Sequence, residues 1–310
     1  MSAELKKARR LHILIAFASI YTIWGSTYLA IRYADQSLPP FLMAGVRFLI
    51  SGGILYALSR HRGSPRPPRL HWRNALIAGA FLLVGGNGAV VWAEQTVPSG
   101  LTALLVSVLP FWLVLIDWVR PNGNRPRPMV IAGLILGIVG IFVLVNPTAS
   151  NGNTAINLVG AVVLIFGSLS WALGSFYSRD ADLPASGIMR TALEMIGGGA
   201  LLLILSLAVG EPQHFDVQRV TSASWLGLAY LITFGLLIGF TSYIWLLDKV
   251  SPALVGTYAF VNPVVAVFLG WAFASEPLST RTLVAAAIVI GAVALITMAR
   301  GGPPAEPDCS

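Results

Sequence analysis

The chain has 310 residues, 56% of them hydrophobic and only 11% charged, with a formal net charge of +7. A soluble domain is about 25% charged, so one water-facing globule is excluded and a bilayer is the expected solvent. The basic excess is assigned to cytoplasmic loops, where Lys and Arg of membrane proteins gather, and not to a nucleic-acid surface.

About 20 helical residues cross a hydrocarbon core of about 30 Å. Ten such spans are predicted, over 11–32, 41–59, 72–93, 98–118, 128–146, 156–177, 186–208, 223–246, 252–273 and 281–299. Connectors such as "RGSPRPPR" and "NPTASNGN" separate them, and their shortness makes successive helices antiparallel neighbours. The basic tail 1–10 runs into a first span longer than a signal-peptide core, with no small-residue cleavage site, so that span is expected to be retained.

The first span places Tyr21, Trp24 and Tyr28 on one face, three and four residues apart. They either line a cavity or pack, and Tyr28, near the helix end, also fits an interfacial anchor. The second span holds Arg47 at depth, where it either snorkels outward or binds carbonyls. The third reads "LLVGGNGAVVW". Its glycines admit another backbone, Asn87 is a polar cavity candidate or an interhelical hydrogen bonder, and Trp92 is an anchor. Glu94 and Asp117, near helix ends, are expected to be hydrated. In the fourth span Pro110 frees the carbonyl of Val106, with Ser107 alongside. The sixth repeats the aromatic pattern with Trp171, Ser175 and Tyr177. The seventh carries Glu194, with Arg190 one turn away as its expected partner. In the ninth, Pro263 frees the carbonyl of Ala259 beside Tyr258 and Asn262. Two such broken helices would present polar backbone to a cavity and supply a bend for gating.

Ten spans put both termini on one side. With the termini in the cytoplasm, fifteen of the twenty Lys and Arg fall inside, three outside and two within helices, the bias that sets orientation. The halves also resemble each other. A gapless shift of 153 lays Trp72 on Trp225, Gly86 on Gly239, Trp92 on Trp245 and Pro110 on Pro263, and "WGSTY" at 24–28 echoes "WALGSFY" at 171–177. An odd number of spans per repeat inverts the second, as in secondary transporters that bind substrate at the repeat interface. The expected fold class is therefore an all-α integral membrane protein of ten transmembrane helices in two inverted five-helix repeats around a central cavity. Residues 11–147 and 156–299 form the repeats, 148–155 joins them, and 1–10 and 300–310 are cytoplasmic tails.

The segments "IWGSTYLAIRYADQSLPPFLMAGVRFL" (23–49), "VPSGLTALLVSVLPF" (97–111), "GSLSWALGSFYSRDADLP" (167–184) and "VSPALVGTYAFVNPVVAVFLGWAFASEPLS" (250–279) resemble the drug/metabolite transporter superfamily, with two EamA-type repeats. The resemblance covers roughly residues 11–299, and the subfamily it suggests is the YedA/YddG type of bacterial amino-acid and metabolite exporters. It implies an inner-membrane secondary transporter working by alternating access on a small-molecule substrate. Other metabolites, drugs or nucleotide-sugar-like solutes, or a non-transport scaffold, are the alternatives. One departure stands out: the second repeat has "EPLS" before its last span, and the first has no Glu there.

The candidate substrate-cavity residues are Trp24, Tyr28, Asn87, Ser107, Trp171, Ser175, Tyr258 and Asn262, with Pro110 and Pro263 as gating kinks and Arg47 and Glu194 as possible charge-coupling residues. No enzyme is expected: the four His lie in loops or at helix ends, and the sequence has neither a His-Glu-x-x-His nor a Walker motif. No cofactor and no metal are expected, the lone Cys309 forms no intrachain disulfide, and the oligomeric state stays open, a monomer included. With Glu194 as the sole deep carboxylate, the sequence points to downhill or weakly coupled export.

Overall fold

A computed structural model describes residues 3–121, 125–145, 157–247, 249 and 258–300. The connector predicted at 148–155, the start of the span predicted over 252–273 and the tail with Cys309 lie outside them. The described residues are all helix and connection, without a strand. Seven helices are long and apolar enough to cross a membrane, and three shorter apolar ones accompany them. In chain order these are α1 (Ala3–Ala34), α2 (Pro40–His61), α3 (Arg69–Ala93), α4 (Ser99–Val119), α5 (Pro128–Val145), α6 (Leu158–Asp180), α7 (Gly187–Ala208), α8 (Ser222–Leu247 in three consecutive pieces), α9 (Tyr258–Ala274) and α10 (Thr280–Arg300).

Local chemistry sets the starts. Asn157, Ser186 and Thr221 each cap the helix that follows, accepting from Gly160, Met189 and Ser224 N–H groups. Pro39 and Pro98 precede α2 and α4 in extended backbone, as residues outside a helix start can. The surface is apolar, with Phe142, Phe166, Leu226 and Met298 at least 60% exposed, whereas Arg47, Glu94 and Asn262 are buried. That is the reverse of a water-soluble protein and suits a lipid solvent.

α2 lies along α7 and α5 along α10; α1 packs on α8 and α9, and α6 on α3. Two ends result. At one, called here the first end, Arg32 reaches Glu276, Ser37 reaches Ser224, and Arg281 bonds the Val143 carbonyl. At the second end, Asn74 donates to the Asp182 carbonyl and Arg120 pairs with Asp180.

Two helices depart from α geometry at related places. Ala80–Asn87 in α3 and Leu231–Ile238 in α8 are π-helical. Such stretches widen the helix and are frequent at functional sites. The two prolines sit differently in their helices. α4 is interrupted: its first piece ends at Val106, Ser107 and Val108 form a turn, and a new helix starts at Leu109. Pro110 sits in that second helix's first turn, where its missing N–H leaves no bond unmade. α9 runs unbroken through Pro263.

Candidate functional site

The interior holds two neighbouring groups of side chains. The first is aromatic. The Trp24 indole lies 5.2 Å from the Tyr243 ring and 5.0 Å, edge-on, from the Tyr258 ring, and its Nε1–H donates to the Gly235 carbonyl at 3.1 Å. Gly235 belongs to the π-helical stretch of α8. The indole fits because Gly239 has no side chain: a Cβ there would stand 2.5 Å from Trp24 Nε1. Trp171 repeats this arrangement against α3, where a Cβ on Gly86 would stand 2.8 Å from its ring. The shift of 153 that pairs Gly86 with Gly239 in the sequence thus pairs two Trp-on-Gly contacts in space.

The Gly-Ser echo does not extend in the same way. Gly25 faces α9, 2.6 Å from Val265 Cβ measured from a built Cβ, whereas Gly174 faces Leu82 and Phe81 of α3. "WALGSFY" has two residues more than "WGSTY" between Trp and Gly. Two residues rotate a helix position by about 200°, so matched tryptophans carry glycines on opposed faces. Ser26 shares a hydrogen bond with the Tyr230 hydroxyl at 2.6 Å, while Ser175 and Ser107 bond carbonyls of their own helices. Asn262 is 8% exposed, and its Oδ1 has no partner.

The second group is charged, and most of it is not apparent from the sequence. Arg47 is 3% exposed and donates to Asn87 Oδ1, with its guanidinium 4.8 Å above the Phe48 ring. It neither snorkels nor binds carbonyls. Glu94, expected to be hydrated, is 1% exposed. Both of its carboxylate oxygens, both of Asp35's and the Nε of Arg47 are buried without a hydrogen-bond partner. Burial holds the Glu94 carboxyl well above the usual range, reinforced by the nearby charges of Asp35 and Glu276 and opposed by Arg47 and Arg32. Burial likewise raises the Asp35 carboxyl, against the pull of Arg47. Tyr28, one turn on from Trp24 along α1, packs against the main apolar core and lies within reach of the Glu94 charge.

The first end is closed over this interior. Glu276, from "EPLS", accepts from Ser99 N at 2.7 Å, Ser99 Oγ at 2.9 Å and Gly100 N at 3.0 Å, and pairs with Arg32 Nε at 3.4 Å. It caps the N-terminus of α4, where backbone N–H groups and the helix dipole favour an anion. Arg32 also donates to the Glu94 carbonyl, and the Tyr33 hydroxyl to the Phe273 carbonyl at 2.6 Å. Glu211 does for α2 what Glu276 does for α4, accepting from Phe41 and Leu42 N–H groups. Two carboxylates of the chain's second half thus cap helices of its first half. Toward the second end, Glu194 accepts from the Ser178 hydroxyl and forms no close pair with Arg190, whose Nε is buried without a hydrogen-bond partner. There a recess of about 260 Å³ is lined by Leu113, Asp117, Ser175, Phe176 and Arg179. Among the described residues, no group of His, Cys, Asp and Glu is arranged to hold a metal.

The description "EamA-like transporter family" fits two stretches, residues 11–146 and 158–298. The chain is 40% identical over 294 residues to the inner membrane transporter YedA of Escherichia coli K12, covering 94% of this chain and 92% of that one. It is 24% identical to the transporter YvbV of Bacillus subtilis, over 94% and 93% of the two chains. It is 26% identical to the protein PecM of Dickeya dadantii, over 88% of each. A crystal structure sharing 22% identity superposes with a TM-score of 0.61 over 94% of this chain and 98% of that one, a likeness of fold.

Proposed function

The chain belongs to the EamA-like transporter family of the drug/metabolite transporter superfamily, and on that premise we propose that it is a secondary exporter of small metabolites, foremost amino acids with aromatic or apolar side chains. It is a multi-pass inner-membrane transporter. In the proposed layout, ten spans form inverted repeats at 11–147 and 156–299. The second end and both termini face the cytoplasm, where the Lys and Arg bias puts them. Support for the repeats comes from the family's two separate matches, from the π-helical stretches of α3 and α8, and from the paired Trp-on-Gly contacts.

The observation that carries the substrate class is that the interior holds both the Trp24–Tyr243–Tyr258 ring group and the buried Arg47–Asn87 pair. The rings offer an apolar wall to a side chain, and a buried guanidinium offers a partner to a carboxylate. Closure at one end supports alternating access: the Arg32–Glu276–Ser99 contacts seal the first end, and in this reading they part for release. The test is flux in proteoliposomes with a panel of labelled amino acids and, separately, sugars. Uptake of phenylalanine or leucine that falls when Trp24 or Trp171 becomes Ala, with folded yield kept, supports the reading. Uptake of sugars alone overturns the substrate class, and no flux of any solute overturns transport of these classes.

A further inference from the structure

Three places deserve weighing: the shallow recess at the second end, the Arg281 cluster beside the Val143 and Leu144 carbonyls, and the charges around Glu94. The recess is open, and the one cation in its lining, Arg179, is already engaged by Asp180 and the Phe176 ring. Arg281 is satisfied by the two carbonyls it caps. The third place is different, because its groups are buried and unsatisfied.

Consider the charges one by one. Glu276 is matched by Arg32 and three donors. Glu211 is matched by the α2 N-terminus. Arg47 meets the charges of both Asp35 and Glu94, and Arg32, already paired with Glu276, also acts on Glu94, so two cations face three carboxylates. One negative charge is in excess, in a site where Glu94 is 1% exposed and none of the four carboxylate oxygens has a donor. A lone buried carboxylate is among the costliest groups a fold can hold, and it neutralises in preference to staying charged. We infer that Asp35 and Glu94, flanking Arg47, form a proton-binding site that couples solute movement to a proton.

The groups that face the pair from each element packed round it are Arg32 and Tyr28 of α1, Arg47 of α2, Glu211 from the α7–α8 connection and Glu276 from the α9–α10 connection. While the Arg32–Glu276 contact is closed, water is kept out and the acid form is favoured. When that contact parts, water reaches the pair. The acid O–H bond then breaks, the electron pair stays on the carboxylate, and the proton leaves to water at the first end. The reverse step loads the site. The inference deepens the transporter reading and rests on it for its use; the protonation itself does not. It stands in place of the expectation, drawn from Glu194 as the sole deep carboxylate, of downhill or weakly coupled export.

The test has two arms on the full-length protein. Infrared difference spectra at neutral pH, in detergent, read the carbonyl stretch of a protonated carboxylic acid. The band is expected in the wild type and is expected to be lost or reduced in Glu94→Gln and in Asp35→Asn, but kept in Glu194→Gln. Asp35→Asn guards against misfolding of the Glu94 variant, and the wild-type spectrum alone is decisive if it lacks the band, which overturns the inference. In proteoliposomes with labelled phenylalanine, an imposed pH gradient should accelerate wild-type flux, and Glu94→Gln should lose that acceleration. Flux indifferent to the gradient overturns the coupling. If phenylalanine does not move at all, the substrate reading fails, while the infrared arm still decides protonation.

Discussion

Replacing Glu276 by Gln tests whether the first end is a gate. The carboxylate receives three hydrogen bonds and one ion pair. The amide keeps one oxygen, enough for Ser99, but sets its NH2 against the Gly100 N–H, donor to donor. An unsatisfied buried N–H costs about 1–3 kcal/mol. Removing a negative charge from a helix N-terminus costs about 0.3–1 kcal/mol more, and up to about 2 when partly buried. The closed state therefore loses about 1.3–4 kcal/mol. Since every 1.4 kcal/mol is about tenfold, the ratio of open to closed molecules at this end should rise at least about eightfold. Thr102, 0% exposed just beyond Gly100, is the reporter position, because its hydroxyl has no partner to lose. With Cys309→Ser removing the one native thiol, Thr102→Cys should react with a soluble maleimide far faster in the Glu276→Gln background. An unchanged labelling rate alongside a lowered melting temperature would refute the gate and leave Glu276 as a structural cap.

Other outcomes follow from the same geometry. Gly239→Ala should push the Trp24 indole off the Gly235 carbonyl, destabilise the protein by about 1–3 kcal/mol as overpacking does, and shift its tryptophan emission; an unchanged melt would show that the indole has room to spare. Burial raises Asp35 and Glu94, so the folded state holds protons more tightly than the unfolded one. Their contribution to stability is therefore full below the ordinary carboxylate range and is lost as pH climbs through the folded values. The wild-type melting temperature should fall over that rise and Glu94→Gln should flatten the slope, which thermal melts across a pH series will show. Reporter fusions after Ser64 and Asn151 should report opposite sides of the membrane, and the same side for both would break the ten-span layout.

Much of the architecture is legible because lipid leaves a coarse signature. A span needs a long apolar run, and such runs survive any uncertainty about contacts. The Trp24 and Trp171 contacts were foreshadowed by Gly86 and Gly239, since a glycine in a related place in each half marks a close approach. The charged group was hidden for a physical reason. Glu94 follows the last residue of α3, and a helix end is wet unless something covers it. Arg32 of α1, itself paired with Glu276 of the α9–α10 connection, lies against it from far away in the sequence, and no local pattern reports that. The same limit applies to Arg47, whose partner Asn87 lies one helix on, and to Glu194, whose hydrogen bond comes from Ser178 while Arg190 of its own helix acts only through space. The extra pair of residues in "WALGSFY" shows the converse: two motifs can share residue types in the same order while a short insertion rotates their members apart.

The unequal behaviour of Pro110 and Pro263 makes the two halves mechanically unlike. A rod already severed at Ser107–Val108 swings about that point without breaking further backbone bonds, whereas α9, continuous through its proline, must lose bonds to bend as far. Work done on the molecule is therefore taken up first in α4, and the helix that Glu276 holds by its tip is the compliant one. A clasp on a stiff lever would transmit strain; a clasp on a hinged one isolates it. Releasing the tip frees the first piece of α4, Ser99–Val106, to tilt while Leu109–Val119 stays packed against α6.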